Sequence, residues 1–169
     1  GYAGGEIASE LAVETIAETF AHASFDDPAF PGVPRRGAEV VHAVRRANAV
    51  VHQRAKEDPR LEGMGTTLVC ARFSPKKQRL YVGHVGDSRC YVLRGDRLEQ
   101  VTTDHTVGEE GGISGPLGAT LTRALGVEPT VTVDLILGKP LPGDRYVLCS
   151  DGLTKMVKED DIRMLLESY

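Results

Sequence analysis

Hydrophobic residues recur at helical spacing near the start of the chain. Between positions 6 and 23, Ile7, Leu11, Ile16 and Phe20 stand among alanines and glutamates. This spacing places them on one face of a helix, and the residues between them are good helix formers. The pattern predicts an amphipathic helix over positions 6–23.

A proline-rich stretch separates this helix from a second one. Positions 25–37 hold three prolines and two glycines, a composition typical of a loop. Hydrophobic residues then recur at intervals of four, three and four positions, at Val40, Val44, Ala47 and Val51. The spacing predicts a helix that ends near Asp58, just before Pro59. We expect the two helices to lie antiparallel across one face of a sheet.

From residue 66 onward the pattern changes to short segments rich in β-branched and aromatic residues, with turn signals between them. The predicted strands cover 67–73, 79–85, 88–93, 97–101, 130–137 and 145–150. Gly95 stands at the first central position of a two-residue turn, where a type II′ hairpin needs positive φ. We interpret the first four strands as an antiparallel meander and not as a βαβ series.

Two further segments complete the predicted layout. Positions 107–118 contain five glycines and one proline with no periodic apolar face, which predicts a mobile surface loop. Positions 158–168 carry Ile162, Leu165 and Leu166 after an acidic start, which predicts a final helix. Helices, then strands, then a helix indicate a layered α+β domain.

Composition narrows the classes of function. The chain has 169 residues, enough for one domain with a substantial core. Its net charge of −4 gives no sign of a nucleic-acid or anionic-membrane surface. Every apolar run is far shorter than the ~20 residues of a membrane-spanning helix. The cysteines are three in number and lie in strand-like runs, so we expect free thiols and a cytoplasmic protein.

Two aspartates carry the candidate chemistry. Asp87 and Asp151 each follow a short apolar segment that is typical of a β-strand. A carboxylate at the end of a buried strand is held by the sheet and still reaches solvent, which suits a hard divalent cation. Each also has an ordinary explanation, because Gly-Asp-Ser is common turn chemistry and Ser150 or Asp151 can cap a helix.

Five motifs in fixed order make a stronger case than either aspartate alone. They are Gly-Met-Gly-Thr-Thr at 63–67, the run 82–91 around Asp87, Asp-His-Thr at 104–106, Leu-Thr-Arg-Ala-Leu-Gly at 121–126, and Leu-Cys-Ser-Asp-Gly-Leu at 148–153. In this order the set resembles the metal-dependent serine/threonine protein phosphatases, the phosphatase 2C family, in its bacterial branch. The resemblance covers nearly the whole chain, apart from the proline-rich loop and part of 107–120.

The resemblance implies a fold and a reaction. The fold is an αββα sandwich, two antiparallel sheets flanked by helices. Two or three Mn²⁺ or Mg²⁺ ions would bind at one end of the sheets, and a water between them would attack phosphoserine or phosphothreonine. Asp151 would bind the metal pair, and Asp87 would hold a further ion together with Asp151. The partners would be phosphorylated proteins, the substrates of a serine/threonine kinase.

Two parts of the family pattern have no match among positions 1–169. These are the Asp-Gly-Met-Gly-Gly run before the first helix and an Asp-Asn pair on a terminal strand. We therefore expect one domain that is incomplete at both ends, with terminal strands missing and little activity of its own. The alternative is a catalytically dead module of the same fold that binds a phosphoprotein or regulatory partner. The flap at about 107–120 is shorter than is usual in bacterial relatives, and we expect it to be mobile.

Four other polar positions have structural interpretations. Arg123 could bind phosphate, but its place in the motif favours a structural role. We expect His105 to form hydrogen bonds within its own turn. The hydroxyls of Thr66 and Thr67 are expected to satisfy backbone groups near the site.

Overall fold

A computed structural model describes residues 4–22 and 32–168 of the chain. Most of the predicted proline-rich loop lies outside the described residues. The helices are α1 (Gly5–His22), α2 (Arg35–Glu57), α3 (Val107–Gly111), α4 (Asp151–Thr154) and α5 (Glu159–Glu167). The strands are β1 (Leu68–Ser74), β2 (Arg79–Val85), β3 (Arg89–Arg94), β4 (Arg97–Gln100), β5 (Asp134–Gly138) and β6 (Arg145–Cys149).

The two predicted N-terminal helices are present, but α2 begins earlier than expected. It starts directly after Pro34 and includes Gly37, which had been assigned to the loop. A Cβ on Gly37 would lie 2.8 Å from Leu135 Cδ2. This glycine therefore allows close packing of α2 on β5, and it does not break the helix.

The strands form two antiparallel sheets. One has the order β1-β2-β5 and the other the order β4-β3-β6. The prediction of one four-stranded meander is therefore wrong, because β2 and β3 belong to different sheets. Alternating strand and turn signals show where strands lie but not which strands pair. The predicted two-residue turn at Gly95 is present, with φ of +61°.

Apolar side chains from both sheets and from α2 make the core. Between the sheets, Leu80 and Val82 pack with Cys90. On the outer face of the first sheet, Val44 and Val51 of α2 pack in a cluster with other buried residues. Each fully buried aliphatic side chain of this kind contributes roughly 1.5–3 kcal/mol. Helix α5 lies against β4 of the second sheet, so the predicted αββα layering is confirmed.

The glycine-rich segment is more ordered than a plain loop. It contains α3 and a 3₁₀ turn at Pro116–Ala119, which pack together. The Thr106 hydroxyl accepts a hydrogen bond from Glu109 N–H at 3.3 Å and caps α3. This Thr-x-x-Glu spacing is a helix-start signal that composition alone hides. The mobility of the segment stays a prediction.

Across the described part of the chain, every helix is too short or too polar to cross a bilayer.

Candidate active site

The turn between β2 and β3 carries Asp87. Gly86 has φ of +102°, and a Cβ at this position would lie only 2.3 Å from Thr67 Cγ2. Only glycine fits this combination of backbone conformation and close contact. The turn takes the chain from one sheet to the other, and it leaves the Asp87 side chain half-buried.

His105 holds this turn from the opposite side. The Gly86 N–H donates to His105 Nδ1 at 3.0 Å, and the His105 N–H donates to Gly86 O at 2.9 Å. The prediction that His105 bonds within its own turn is therefore wrong. Its partner lies 19 residues away, because the two sheets bring the loops after β2 and β4 together.

Three further contacts fix residues close to Asp87. The hydroxyls of Thr67 and Ser88 lie 2.7 Å apart, and Thr66 Oγ1 donates to Thr67 O at 3.1 Å. Arg89 Nε and Nη2 donate to the Asp104 carboxylate at 2.7–3.1 Å, a bidentate pair of the strong kind. These contacts hold the segments around the half-buried Asp87 in place.

Asp151 has a more open setting. It follows β6 as the first residue of α4, and none of the four residues of α4 is buried. Its side chain is 45% exposed, and Lys155 Nζ lies 2.5 Å from Asp151 Oδ2. Lys155 was not singled out from the sequence, although an acidic residue four positions before a lysine is the spacing of a helical ion pair.

Asp87 and Asp151 line the same cleft of about 970 Å³. Burial raises the pKa of Asp87, and the negative charges of Asp151 and then Asp104 raise it further. The cleft therefore brings together both sequence-predicted residues, at the ends of strands from different sheets. Their role as metal ligands stays a prediction.

The opposite wall of the cleft includes residues 119–124. Within it, Arg123 Nη1 lies 2.6 Å from Asp134 Oδ1, and Arg123 Nη2 lies 3.2 Å from Glu110 Oε1. Both contacts tie the wall to neighbouring segments. They support a structural role for Arg123, as its place in the motif predicts.

Close to the Asp87 turn lies a cluster of three titratable side chains that the sequence analysis did not predict. Ligand atoms of His84, His105 and Asp134 all lie within 4.8 Å of one another. His84 is fully buried, and burial followed by the neighbouring His105 lowers its pKa to about 4. His84 and Asp134 are direct partners in the β2–β5 ladder. A sequence does not reveal such a pairing, since the two positions are 50 residues apart.

Comparison with known proteins shows which family the chain is similar to. The family profile described as protein phosphatase 2C matches residues 2–169. The chain is 37% identical over 180 residues to the serine/threonine protein phosphatase PstP of Mycobacterium tuberculosis. It is 32% identical over 178 residues to the serine/threonine phosphatase stp of Listeria innocua. Each alignment covers 99% of the chain.

A solved structure extends the likeness to three dimensions. The catalytic domain of PstP in complex with two manganese ions superposes with a TM-score of 0.77 and 37% identity, over 99% of this chain and 70% of that one. The chain spans 32% of the length of the mycobacterial PstP and 68% of the length of the Listeria phosphatase.

Proposed function

The chain belongs to the protein phosphatase 2C family, and from that premise we propose that it is the phosphatase domain of a metal-dependent serine/threonine protein phosphatase. Residues 1–169 would belong to a single domain of that enzyme. The observation that carries the proposal is the shared cleft of Asp87 and Asp151, with the charge of one raising the pKa of the other. Two carboxylates in one open cleft are a donor set for a hard cation.

The residues present fit Mn²⁺ or Mg²⁺. Asp87 and Asp151 would hold an ion between them, and a cation there would offset the repulsion that raises the pKa of Asp87. Such ions, when bound, lower the pKa of a coordinated water and neutralise charge on the phosphoryl oxygens. The manganese ions in the solved PstP structure are a property of that relative, and they support the same cofactor here.

The chain's own side chains prepare the site. Gly86 and His105 fix the Asp87 turn before any ligand arrives, so little ordering is needed on binding. Lys155 offsets part of the Asp151 charge and would compete with an ion for Oδ2 of that carboxylate. Thr66, Thr67 and Thr122 are among the residues that line the cleft, where a phosphorylated residue would bind.

The cleft is open to solvent, as a site for a side chain presented on another protein must be. We therefore propose phosphorylated proteins as substrates, namely those of a serine/threonine kinase. We place the enzyme in the cytoplasm because Cys70, Cys90 and Cys149 are all free thiols. Burial raises the pKa of Cys70 and of Cys90 to about 11, which keeps both thiols protonated and unreactive.

The test is hydrolysis of p-nitrophenyl phosphate by the full-length gene product with and without Mn²⁺. We expect activity only with the added ion. We expect Asp151→Asn to lower this activity by more than about 100-fold, because substitutions of residues that only support a metal ligand already cost about 10–100-fold. Asp96→Asn, which removes the same charge from the β3–β4 turn, serves as the control and should leave activity intact. Full activity in excess EDTA would exclude this function, and the absence of hydrolysis with Mn²⁺ would favour the binding module.

A further inference from the structure

His105 is clamped to a single residue of the Asp87 turn by two hydrogen bonds. Its backbone N–H donates to Gly86 O, and its ring Nδ1 accepts from Gly86 N–H. The residue is 1% exposed. Two bonds of opposite direction leave Gly86 no freedom to rotate, so the position of the next residue, Asp87, depends on His105.

The same residue also contacts the far wall of the cleft. Its carbonyl accepts from Thr122 N–H at 2.9 Å, next to Arg123. Its Nε2 lies 3.1 Å from Asp134 Oδ2, with the oxygen off the N–H axis, so this contact is electrostatic and not a well-aligned hydrogen bond. Asp134 in turn binds Arg123. His105 thus joins the turn of Asp87 to the segment that forms the opposite wall.

A metal at His84, His105 and Asp134 is the competing interpretation. Two imidazoles and a carboxylate are a donor set that Zn²⁺ accepts. However, Nδ1 of His105 already accepts from Gly86 N–H, which leaves the ring proton on Nε2. A metal on Nε2 would have to displace that proton, and the neutral ring would then need one on Nδ1. Metal binding and the Gly86 hydrogen bond therefore exclude each other.

We infer that His105 is a positioning residue that holds Asp87 in place for metal binding and couples it to the opposite wall of the cleft. This inference rests on the proposed function, because the ion at Asp87 is the ligand in question. Groups behind metal ligands orient them, and their loss costs metal affinity without removing a ligand. In His105, the atom that orients Asp87 is the hydrogen-bond acceptor Nδ1.

Two substitutions of His105 separate its two ring contacts. In His105→Asn, Oδ1 occupies nearly the place of Nδ1 and can accept from Gly86 N–H, but the contact with Asp134 is lost. In His105→Gln, the amide reaches the place of Nε2, and nothing replaces Nδ1. Two measurements on the purified protein follow the effect. One is hydrogen exchange of the Gly86 amide by NMR, and the other is the Mn²⁺ dissociation constant by calorimetry.

We expect His105→Gln to speed exchange at Gly86 and to weaken Mn²⁺ binding, each by about 10-fold or more. The Asn variant should stay within about threefold of the wild type in both measurements, a rescue by the retained acceptor. Thr102→Val is the matched control, since Thr102 Oγ1 accepts from Cys90 N–H at 3.1 Å and is equally buried. It should speed exchange at Cys90 and leave Gly86 and Mn²⁺ binding unchanged.

Three results would overturn the inference. The first is equal behaviour of the Asn and Gln variants. The second is a loss of Mn²⁺ affinity in Thr102→Val that matches the Gln variant, which would indicate general destabilisation. The third is tight Zn²⁺ binding at His84, His105 and Asp134 that also speeds hydrogen exchange of the Gly86 amide. Failure of the proposed function can be distinguished from failure of this inference. A wild-type protein that neither binds Mn²⁺ nor hydrolyses a phosphate ester contradicts the proposed function. Hydrogen exchange at Gly86 still tests the contact between His105 and Gly86 in that case.

Discussion

Asp87 and Asp151 face one cleft, but the segments that carry them are built differently. The Asp87 turn is bound to His105 on one side and packs on Thr67 on the other, with buried Ser88 next in the chain. The Asp151 segment is a four-residue helix without a buried residue, and the partner of its carboxylate is the exposed Lys155. One carboxylate is therefore placed by packing, and the other is held mainly by a solvent-exposed ion pair.

Because of this difference, substitutions on the two sides of the cleft should affect folding stability and metal binding to different extents. Changes to the buried residues that support Asp87 disturb their contacts, so they should lower the free energy of unfolding as well as metal affinity. Changes around Asp151 act at the surface, so they should alter metal affinity and leave folding nearly unchanged. The contrast can be tested with pairs of substitutions, one on each side of the cleft.

The largest expected difference is between two glycine-to-alanine substitutions. Gly86→Ala forces alanine into positive φ, which costs about 1–2 kcal/mol, and places its Cβ 2.3 Å from Thr67 Cγ2, an overpacking that adds about 1–3 kcal/mol. We expect a loss of about 3 kcal/mol in the free energy of unfolding, measured with urea. In Gly152→Ala, the added Cβ lies in α4 and is 3.5 Å from its nearest neighbour, Ser150 Oγ. This substitution should leave the free energy of unfolding unchanged or raise it by up to about 1 kcal/mol. Equal effects of the two changes would refute the contrast.

Much of this contrast follows from local sequence. Apolar runs before Asp87 and Asp151 placed both at strand ends, and the structure has both in one cleft. The spacing from Asp151 to Lys155 and the Thr-x-x-Glu start of α3 were local signals that the prediction overlooked. Each of these features depends on neighbours within a few residues.

The support behind Asp87 could not be predicted in this way. The clamp by His105 spans 19 residues, and the pairing of His84 with Asp134 spans two strands distant in sequence. Both depend on which strands share a sheet, and periodicity carries no information on that. For the same reason the four-stranded meander was wrong, although the bounds of its strands were close to those observed.

A smaller effect is expected from the charge of Asp87. Burial and the charge of Asp151 raise its pKa in the folded protein above the unfolded value of about 3.9. The folded state then binds the proton more tightly, so the contribution of Asp87 to stability falls as pH rises from that value through the raised pKa. In metal-free protein at pH 7, Asp87→Asn should raise the unfolding free energy, by less than about 1 kcal/mol because the group is partly solvated.

The measurement is the thermal unfolding of wild type and Asp87→Asn across pH 3–8 in EDTA. The difference between the two should vanish at the acidic end and grow toward neutral pH. Asp96→Asn, in the β3–β4 turn, removes the same formal charge away from the cleft. If its pH profile matches that of Asp87→Asn, net charge and not the site accounts for the effect.

The smallest effect is expected on the Asp151 side. Lys155→Met removes the ammonium that lies 2.5 Å from Asp151 Oδ2, so Mn²⁺ no longer competes with it for the carboxylate. Because an exposed pair of this kind is weak, the gain should be small, with Mn²⁺ bound up to about fivefold more tightly by calorimetry. Lys77→Met, at the far end of the β1–β2 hairpin, lowers the net charge equally and should not tighten binding. Lys155→Arg keeps the competing cation and should resemble the wild type. If Lys155→Met weakens Mn²⁺ binding, the lysine holds Asp151 in place, and the Asp151 side is then as dependent on its neighbours as the Asp87 side.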